Sequence, residues 1–161
     1  MYSEIPKIIH PLPRVLDQPH WNDPMHTQIF VNLPVKDLKK SIGFFTKLGY
    51  TLNPQFTNDD ATCMILGENL FVMLLTEKFF RGFTDKAICD TSKATEVLTC
   101  VNCESKAQVD DLVAKAGAAG AKVPRQVQDH GFMYSHGYED LDGHTWELIY
   151  MTGAPPEHLN K

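Results

Sequence analysis

Long apolar runs are missing from this 161-residue sequence. No segment approaches the roughly 20 consecutive apolar residues that a membrane-spanning helix needs. The first residues also lack the basic-then-apolar pattern of a secretory signal peptide. We therefore expect a cytoplasmic protein that does not enter a membrane.

Clusters of basic residues are missing as well. The formal net charge is -5, and no Lys/Arg-rich segment supplies the positive surface that nucleic acids attract. Hydrophobic residues make up 43% of the chain and charged residues 22%, as in an ordinary soluble globular protein. The composition excludes nucleic acid as an expected partner and favours a small molecule.

Cysteines are too few for a disulfide framework. The four, Cys63, Cys89, Cys100 and Cys103, are typical of a reducing compartment. Cys100 and Cys103 form a CxxC pair, but no second Cys/His pair stands at zinc-site spacing. We expect structural thiols, with a redox or zinc role as the alternative.

Proline is concentrated at the start of the chain. Residues 1–24 hold five of the ten prolines, at positions 6, 11, 13, 19 and 24. We expect an extended arm, which either packs across a neighbouring subunit or forms a loosely ordered tail. A single domain should follow over residues 25–161.

The first part of this domain shows a strand, a helix and a hairpin. Apolar and polar residues alternate from Gln28, which predicts a strand. Asp37 is placed to cap a helix that ends at Gly49. Apolar segments at 61–66 and 70–76 predict a β-hairpin.

The same order then recurs. Residues 96–102 alternate as a strand, and Ser105 opens a helix through a capping-box pattern. The segments 132–138 and 144–151 predict strands around an Asp-Gly turn. The interpretation is an α+β protein of two βαβββ modules, about 25–80 and 95–152, joined by a connection over about 81–94.

Alignment of the two modules suggests which positions correspond. An offset of 66 residues superposes Val31, Leu33 and Val35 on Val97, Thr99 and Val101. Two α+β halves with short helices could produce this pairing by chance. On this alignment Phe30 corresponds to Glu96.

Several motifs resemble a known superfamily. They are Gln28-Ile-Phe-Val-Asn-Leu-Pro-Val-Lys-Asp37, Leu48-Gly-Tyr50, Val72-Met-Leu-Leu75, Gln128-Asp-His-Gly-Phe-Met-Tyr134 and Asp142-Gly-His-Thr-Trp-Glu147. Over residues 25–152 the chain resembles the vicinal oxygen chelate superfamily, which includes glyoxalase I, bleomycin- and fosfomycin-resistance proteins and extradiol dioxygenases. More narrowly, it resembles a branch of predicted lactoylglutathione lyases.

This resemblance implies a fold and a set of site positions. The fold is an open, curved, mixed-sheet barrel around a cavity, often completed by dimerisation, so we expect a homodimer. The four ligand positions of metal-using members correspond to Phe30, Met73, Glu96 and Glu147. Phe has no lone pair and the Met thioether is a soft ligand, so the set favours no metal over a divalent ion held by Glu96 and Glu147.

The two glutamates have two possible roles. If both face the cavity, each raises the pKa of the other and one can act as a general acid or base. The alternative is that each is satisfied by a neighbouring hydroxyl, amide or histidine.

Other residues could bind or turn over a ligand. His130, beside Asp129 and Tyr134, is a candidate catalytic imidazole near a hydroxyl that could orient a carbonyl; the alternative is a loop in which Asp129 caps backbone amides. Further ligand-binding candidates are Gln28, Phe30, Asn32 and Met73, and a bulge could bring Gln28 towards the centre of the site.

Two functions remain open at this point. One is a lactoylglutathione-lyase-type lyase or isomerase that moves a proton next to a carbonyl. The other is a metal-free protein that binds a drug or another aromatic compound. Phe30 and Met73 favour the binding protein, whereas Glu96 and Glu147 favour the enzyme.

Overall fold

The computed structural model describes residues 26–153, so the proposed arm over residues 1–24 lies outside the described residues. Within residues 26–153, eight strands and three helices form, with a 3-10 turn at Pro54–Phe56. In chain order they are β1 Ile29–Val35, α1 Leu38–Leu48, β2 Thr51–Asn53, β3 Ala61–Gly67, β4 Leu70–Thr76, α2 Glu77–Phe80, β5 Leu98–Asn102, α3 Lys106–Ala119, β6 Gln128–Asp129, β7 Met133–Glu139 and β8 Thr145–Met151.

The two long helices begin at the capping residues that the sequence predicts, and the first also ends at the predicted Gly49. Asp37 accepts a hydrogen bond from the backbone N–H of Lys40, and Ser105 accepts one from the N–H of Gln108. Gly49 and Gly120 end the helices with φ angles of 101° and 108°, which glycine adopts without steric cost. Both caps satisfy backbone groups that the helix itself leaves unpaired.

The strands form two four-stranded sheets with the same topology. The order is β1-β4-β3-β2 in sheet A and β5-β8-β7-β6 in sheet B, and the first pair of each sheet is parallel. The short strands β2 and β6 pair with β3 and β7 and complete the βαβββ pattern of each module. Neither sheet closes into a barrel.

Helices α1 and α3 pack against each other and against one face of the sheets, where they enclose the core. Trp146 and Tyr138 stack with ring planes 10° apart, and Phe45 packs on the same indole. The largest buried side chains come from both modules: Leu33, Phe44, Phe45, Met64, Leu74, Tyr138, Trp146 and Leu148. One core therefore serves both halves.

The observed elements correct the alignment of the two modules. The helix caps Asp37 and Ser105 correspond, and so do the strands that precede them, with an offset of 68 residues rather than 66. The offset rises to 71 at Gly49 and Gly120 because α3 has 14 residues and α1 has 11. Phe30 therefore corresponds to Leu98, not to Glu96, and Met73 still corresponds to Glu147.

The predicted fold class is confirmed: this is an α+β protein of two βαβββ modules with open, curved sheets. Among residues 26–153, no helix is long and apolar enough to cross a membrane. The helices cover one side of the sheets, so the other side is available for a site.

Candidate functional site

Each sheet has a face that no helix covers, which we call its open face. In sheet A this face carries Phe30 and Asn32 from β1 with Phe71 and Met73 from β4, on the opposite side from the buried Val72 and Leu74. In sheet B it carries Leu98, Cys100, Ser135, Gly137, Thr145 and Glu147. Strand alternation places these residues away from the helices.

Aromatic rings dominate the open face of sheet A. Phe30 and Phe71 are cross-strand partners whose ring centroids lie 4.8 Å apart, with planes 16° from parallel. Phe30 is 49% exposed, so one side of this stack is available to a ligand or to another chain. Asn32 pairs with Met73 one step along the strands and adds an amide at the edge of an otherwise apolar surface.

Glu147 occupies the centre of the open face of sheet B. Its strand neighbours are Cys100 on β5 and Gly137 on β7, and no salt bridge to it forms among the described residues. A cavity of about 130 Å³ opens here, with Leu98, Arg125, Gln128, Glu139, Thr145 and Glu147 in its lining. The cavity is smaller than the roughly 300–1,000 Å³ of typical small-molecule sites.

The Cys100 thiol lies beside the Glu147 carboxylate. Burial, together with the negative charge of Glu147 and a hydrogen bond to it, raises the pKa of Cys100 to about 11. A thiol with so high a pKa is almost wholly protonated at neutral pH and is a poor nucleophile. All four cysteines are free thiols, so the CxxC pair forms no disulfide.

Glu96 does not join Glu147 on this face, and the expectation that the two carboxylates are neighbours was wrong. Residue 96 lies before β5 begins, and its carboxylate contacts Nδ1 of His144. His144 is buried on the opposite side of β8 from Glu147, with 1% of its surface exposed. Glu96 is thus satisfied by a histidine, which was the alternative left open by the sequence.

The loop that carries Asp129, His130 and Tyr134 also lies apart from Glu147. Asp129 accepts hydrogen bonds from Nζ of Lys106 (2.5 Å) and from the backbone N–H of Gly131 (2.9 Å), and these hydrogen bonds hold its pKa below the ordinary value. Tyr134 donates to Asp110 of α3 at 2.8 Å, and its ring lies beneath the Lys106 ammonium. His130 is exposed, and none of the three lines the cavity. The catalytic role of His130 stays a prediction.

Gln28 lies just before β1 and is exposed. The register of β1 with β4 runs without interruption from Ile29 to Val35, so no bulge in this strand moves Gln28 towards the centre. The one irregularity in sheet A falls between Ile65 and Gly67.

The turn before β8 has a role that sequence reasoning missed. Asp142 accepts hydrogen bonds from the backbone N–H of Lys36 (2.9 Å) and from Oγ of Ser41 (3.0 Å), both in module one. Asp140 accepts from the backbone of Asp142 and His144 and from Nε1 of Trp146. Paired aspartates flanking a turn were a visible signal, but their partners more than 100 residues away were not. The turn before β8 therefore joins the two modules.

The residues at the family's metal-ligand positions do not fit a metal ion. After the corrected alignment these positions hold Phe30, Met73, Leu98 and Glu147, and only Glu147 offers an oxygen ligand. Within residues 26–153, no three His, Cys, Asp or Glu side chains converge as metal ligands do. A single carboxylate competes poorly for zinc, nickel or manganese.

Comparison with known proteins gives the same fold. The chain superposes on a hypothetical protein from S. aureus with 27% identity and a TM-score of 0.67, covering 79% of this chain and 95% of that one. A glyoxalase/bleomycin resistance protein/dioxygenase family enzyme from Burkholderia phytofirmans is 16% identical, with a TM-score of 0.63 and coverage of 76% and 96%. A lactoylglutathione lyase from Agrobacterium tumefaciens is also 16% identical, with a TM-score of 0.60 and coverage of 80% and 95%.

Sequence comparison finds one segment that matches a known family. Residues 27–67, from β1 to the end of β3, match the family model described as bleomycin resistance protein-like N-terminal. No curated protein matches the sequence. The chain therefore shares the two-module α+β fold of these solved structures, and residues 27–67 resemble the bleomycin resistance protein-like N-terminal family.

Proposed function

We propose that this protein binds a small, largely aromatic molecule without a metal ion, in a site formed by the open sheet faces of a homodimer. The observation that carries the proposal is the content of the four family positions: three side chains are apolar and one is a carboxylate. A metal-dependent lyase needs metal-binding side chains at most of these positions instead. A flat aromatic ligand can instead lie against the exposed side of the Phe30–Phe71 stack.

The homodimer is part of the proposal because one chain leaves apolar side chains uncovered. Among the described residues, Phe30 and Leu98 are each about half exposed, at 49% and 54%, and they lie on the open faces of the first strands of the two sheets. The cavity on a single chain is also small for a drug-sized ligand. A second copy would cover this apolar surface and enlarge the enclosed volume.

Glu147 gives the ligand site one polar contact. Its carboxylate has no cationic side-chain partner among the described residues, so it can accept a hydrogen bond from a ligand N–H or O–H. Arg125 at the cavity rim adds a donor. An aromatic compound with one or two polar groups therefore suits this surface.

A fluorescence titration with anilinonaphthalene sulfonate, followed by competition with bleomycin and other aromatic drugs, tests the binding proposal. Phe30→Ala should weaken binding roughly tenfold, about 1.4 kcal/mol, because it removes half of the aromatic stack. Phe56→Ala is the matched control, since Phe56 is 60% exposed but lies outside the sheets. Equal affinity in both variants would contradict the assignment of the site.

A lyase remains a second candidate because Glu147 lines a cavity and could act as a base towards a carbon next to a carbonyl. Turnover of the hemithioacetal formed from methylglyoxal and glutathione would support it if Glu147→Gln abolished activity and left the unfolding midpoint unchanged. Inactive wild-type protein that still binds the aromatic probe would favour the binding function.

A further inference from the structure

His144 lies at the contact between the two modules, and both of its ring nitrogens face acceptor oxygens. Nε2 is 2.7 Å from the carbonyl oxygen of Pro34 on β1, and Nδ1 contacts the Glu96 carboxylate. A carbonyl oxygen can only accept, so Nε2 must carry a hydrogen. An ionised Glu96 makes the same demand on Nδ1. When Glu96 is ionised, the two contacts together require a doubly protonated, positively charged imidazolium.

We propose that His144 is a proton-dependent latch that holds the turn before β8, in module two, against β1 of module one. The latch goes beyond the binding function, because it concerns how the modules are held together rather than what they bind. Deprotonation leaves one ring N–H for two acceptors, so one contact is lost and a lone pair then faces an oxygen. The neighbouring contacts of Asp142 with Lys36 and Ser41 belong to the same joint.

The surroundings of the ring favour its charged form. Burial alone would lower the pKa of His144, but Asp140, the Glu96 hydrogen bond and the Pro34 carbonyl together raise it above its ordinary value of 6.5. The titratable side chains that act on the ring are Glu96 from the loop before β5 and Asp140 from the turn before β8, and the Cys89 thiol faces Glu96. Two carboxyl groups thus favour the charged form of one imidazole.

The direction of the pH effect follows from the raised pKa. A histidine that binds its proton more tightly in the folded state contributes its full stabilisation below pH 6.5 and loses it as the pH rises through the folded-state pKa. Burial raises the pKa of Asp140 as well, so loss of stability from that group begins as the pH rises past its ordinary value of 3.8, whereas the loss from His144 begins only above 6.5. The pH dependence of the latch is therefore measured from pH 6 upwards.

Nitrogen-15 NMR of the His144 ring in the full chain tests the proposal directly. We expect both ring nitrogens to have protonated chemical shifts at pH 6 and Nδ1 to change at a midpoint above 6.5. The backbone amide of Lys36 should shift with the same midpoint, because it belongs to the other side of the joint. A ring that is already a neutral tautomer at pH 6 would overturn the proposal. So would a Lys36 amide whose chemical shift does not change as His144 titrates.

Thermal unfolding at fixed protein concentration provides the second measurement. Between pH 6 and pH 9 the midpoint of the wild-type protein should fall by roughly 3–5 °C more than that of Glu96→Gln, in which the charge partner is gone. The exposed His130→Gln variant is the matched control and should keep the wild-type slope. Identical slopes for wild type and Glu96→Gln would overturn the proposal.

Discussion

At the scale of single residues, Glu147 and Glu96 have the same chemistry and different surroundings. Glu147 lies on an open sheet face beside the Cys100 thiol, whereas Glu96 contacts the buried ring of His144. The sequence could not separate them, because a shift of two residues in the module alignment changes which side chain occupies a position. Strand pairing shows that Leu98, not Glu96, corresponds to Phe30.

Alkylation of Cys100 tests the position of Glu147. With a pKa of about 11, Cys100 should react with iodoacetamide at pH 8 roughly 100-fold more slowly than an ordinary thiol, because the thiolate is the reacting form. Glu147→Gln removes the negative neighbour and should speed the reaction several-fold. Peptide mass mapping distinguishes Cys100 from the other three thiols.

The Cys89 thiol of the same variant supplies the control. Reactivity of Cys89, whose carboxylate neighbour is Glu96, should not change in Glu147→Gln. If Cys100 reacts at the same rate in wild type and Glu147→Gln, the two side chains are not neighbours.

At the scale of elements, local patterns predicted most of the helices and strands. Capping side chains gave the starts of α1 and α3, and a glycine gave the end of α1. Apolar alternation gave β1, and apolar segments beside turn signals gave β3, β4, β7 and β8. The short strands β2 and β6 have three and two residues, too few for a period to be visible. Glu96 was placed inside a strand that begins only at Leu98, because alternation continues into the residues before it.

The contacts between elements were less predictable. The hydrogen bonds of Asp142 join residues separated by 106 and 101 positions, and no spacing along the chain indicates such partners. The same holds for Tyr134, whose even position on β7 places it on the helix side, where it donates to Asp110. Residue type suggested chemistry for these side chains, whereas the sheet face determines what they contact.

The open sheet faces lead to a prediction about assembly. In sedimentation velocity the wild-type protein should have about twice the 18.2 kDa mass of one chain, and Leu98→Asp should shift it towards the monomer, because a charge buried in an apolar contact is costly. Val123→Asp is the control, since Val123 is 40% exposed and lies outside the sheets. A monomeric wild-type protein, or a dimer unaffected by Leu98→Asp, would contradict assembly through these faces.

At the scale of the whole molecule, the fold is that of solved glyoxalase-type structures, whereas most of the positions at which metal ligands were expected carry side chains that do not bind a hard metal ion. The two sheets, their order and the shared core match those of glyoxalase-like proteins. Phe30, Met73 and Leu98 occupy three of the four ligand positions. The segment from Asp142 to Glu147 has two roles. Glu147 lies on the open face, whereas His144 and Asp142 make contacts between the modules, so the segment stabilises the fold as well as forming part of the site.

Calorimetric titration of Ni²⁺, Zn²⁺ and Mn²⁺ into wild type and Glu147→Gln, both purified without chelator, tests the central claim most directly. Because Glu147 is the one oxygen ligand among the four expected ligand positions, we expect the two proteins to give the same isotherm with each ion, whatever the ions do elsewhere on the chain. Saturable binding of one ion per site in the wild type that Glu147→Gln abolishes would contradict a metal-free site.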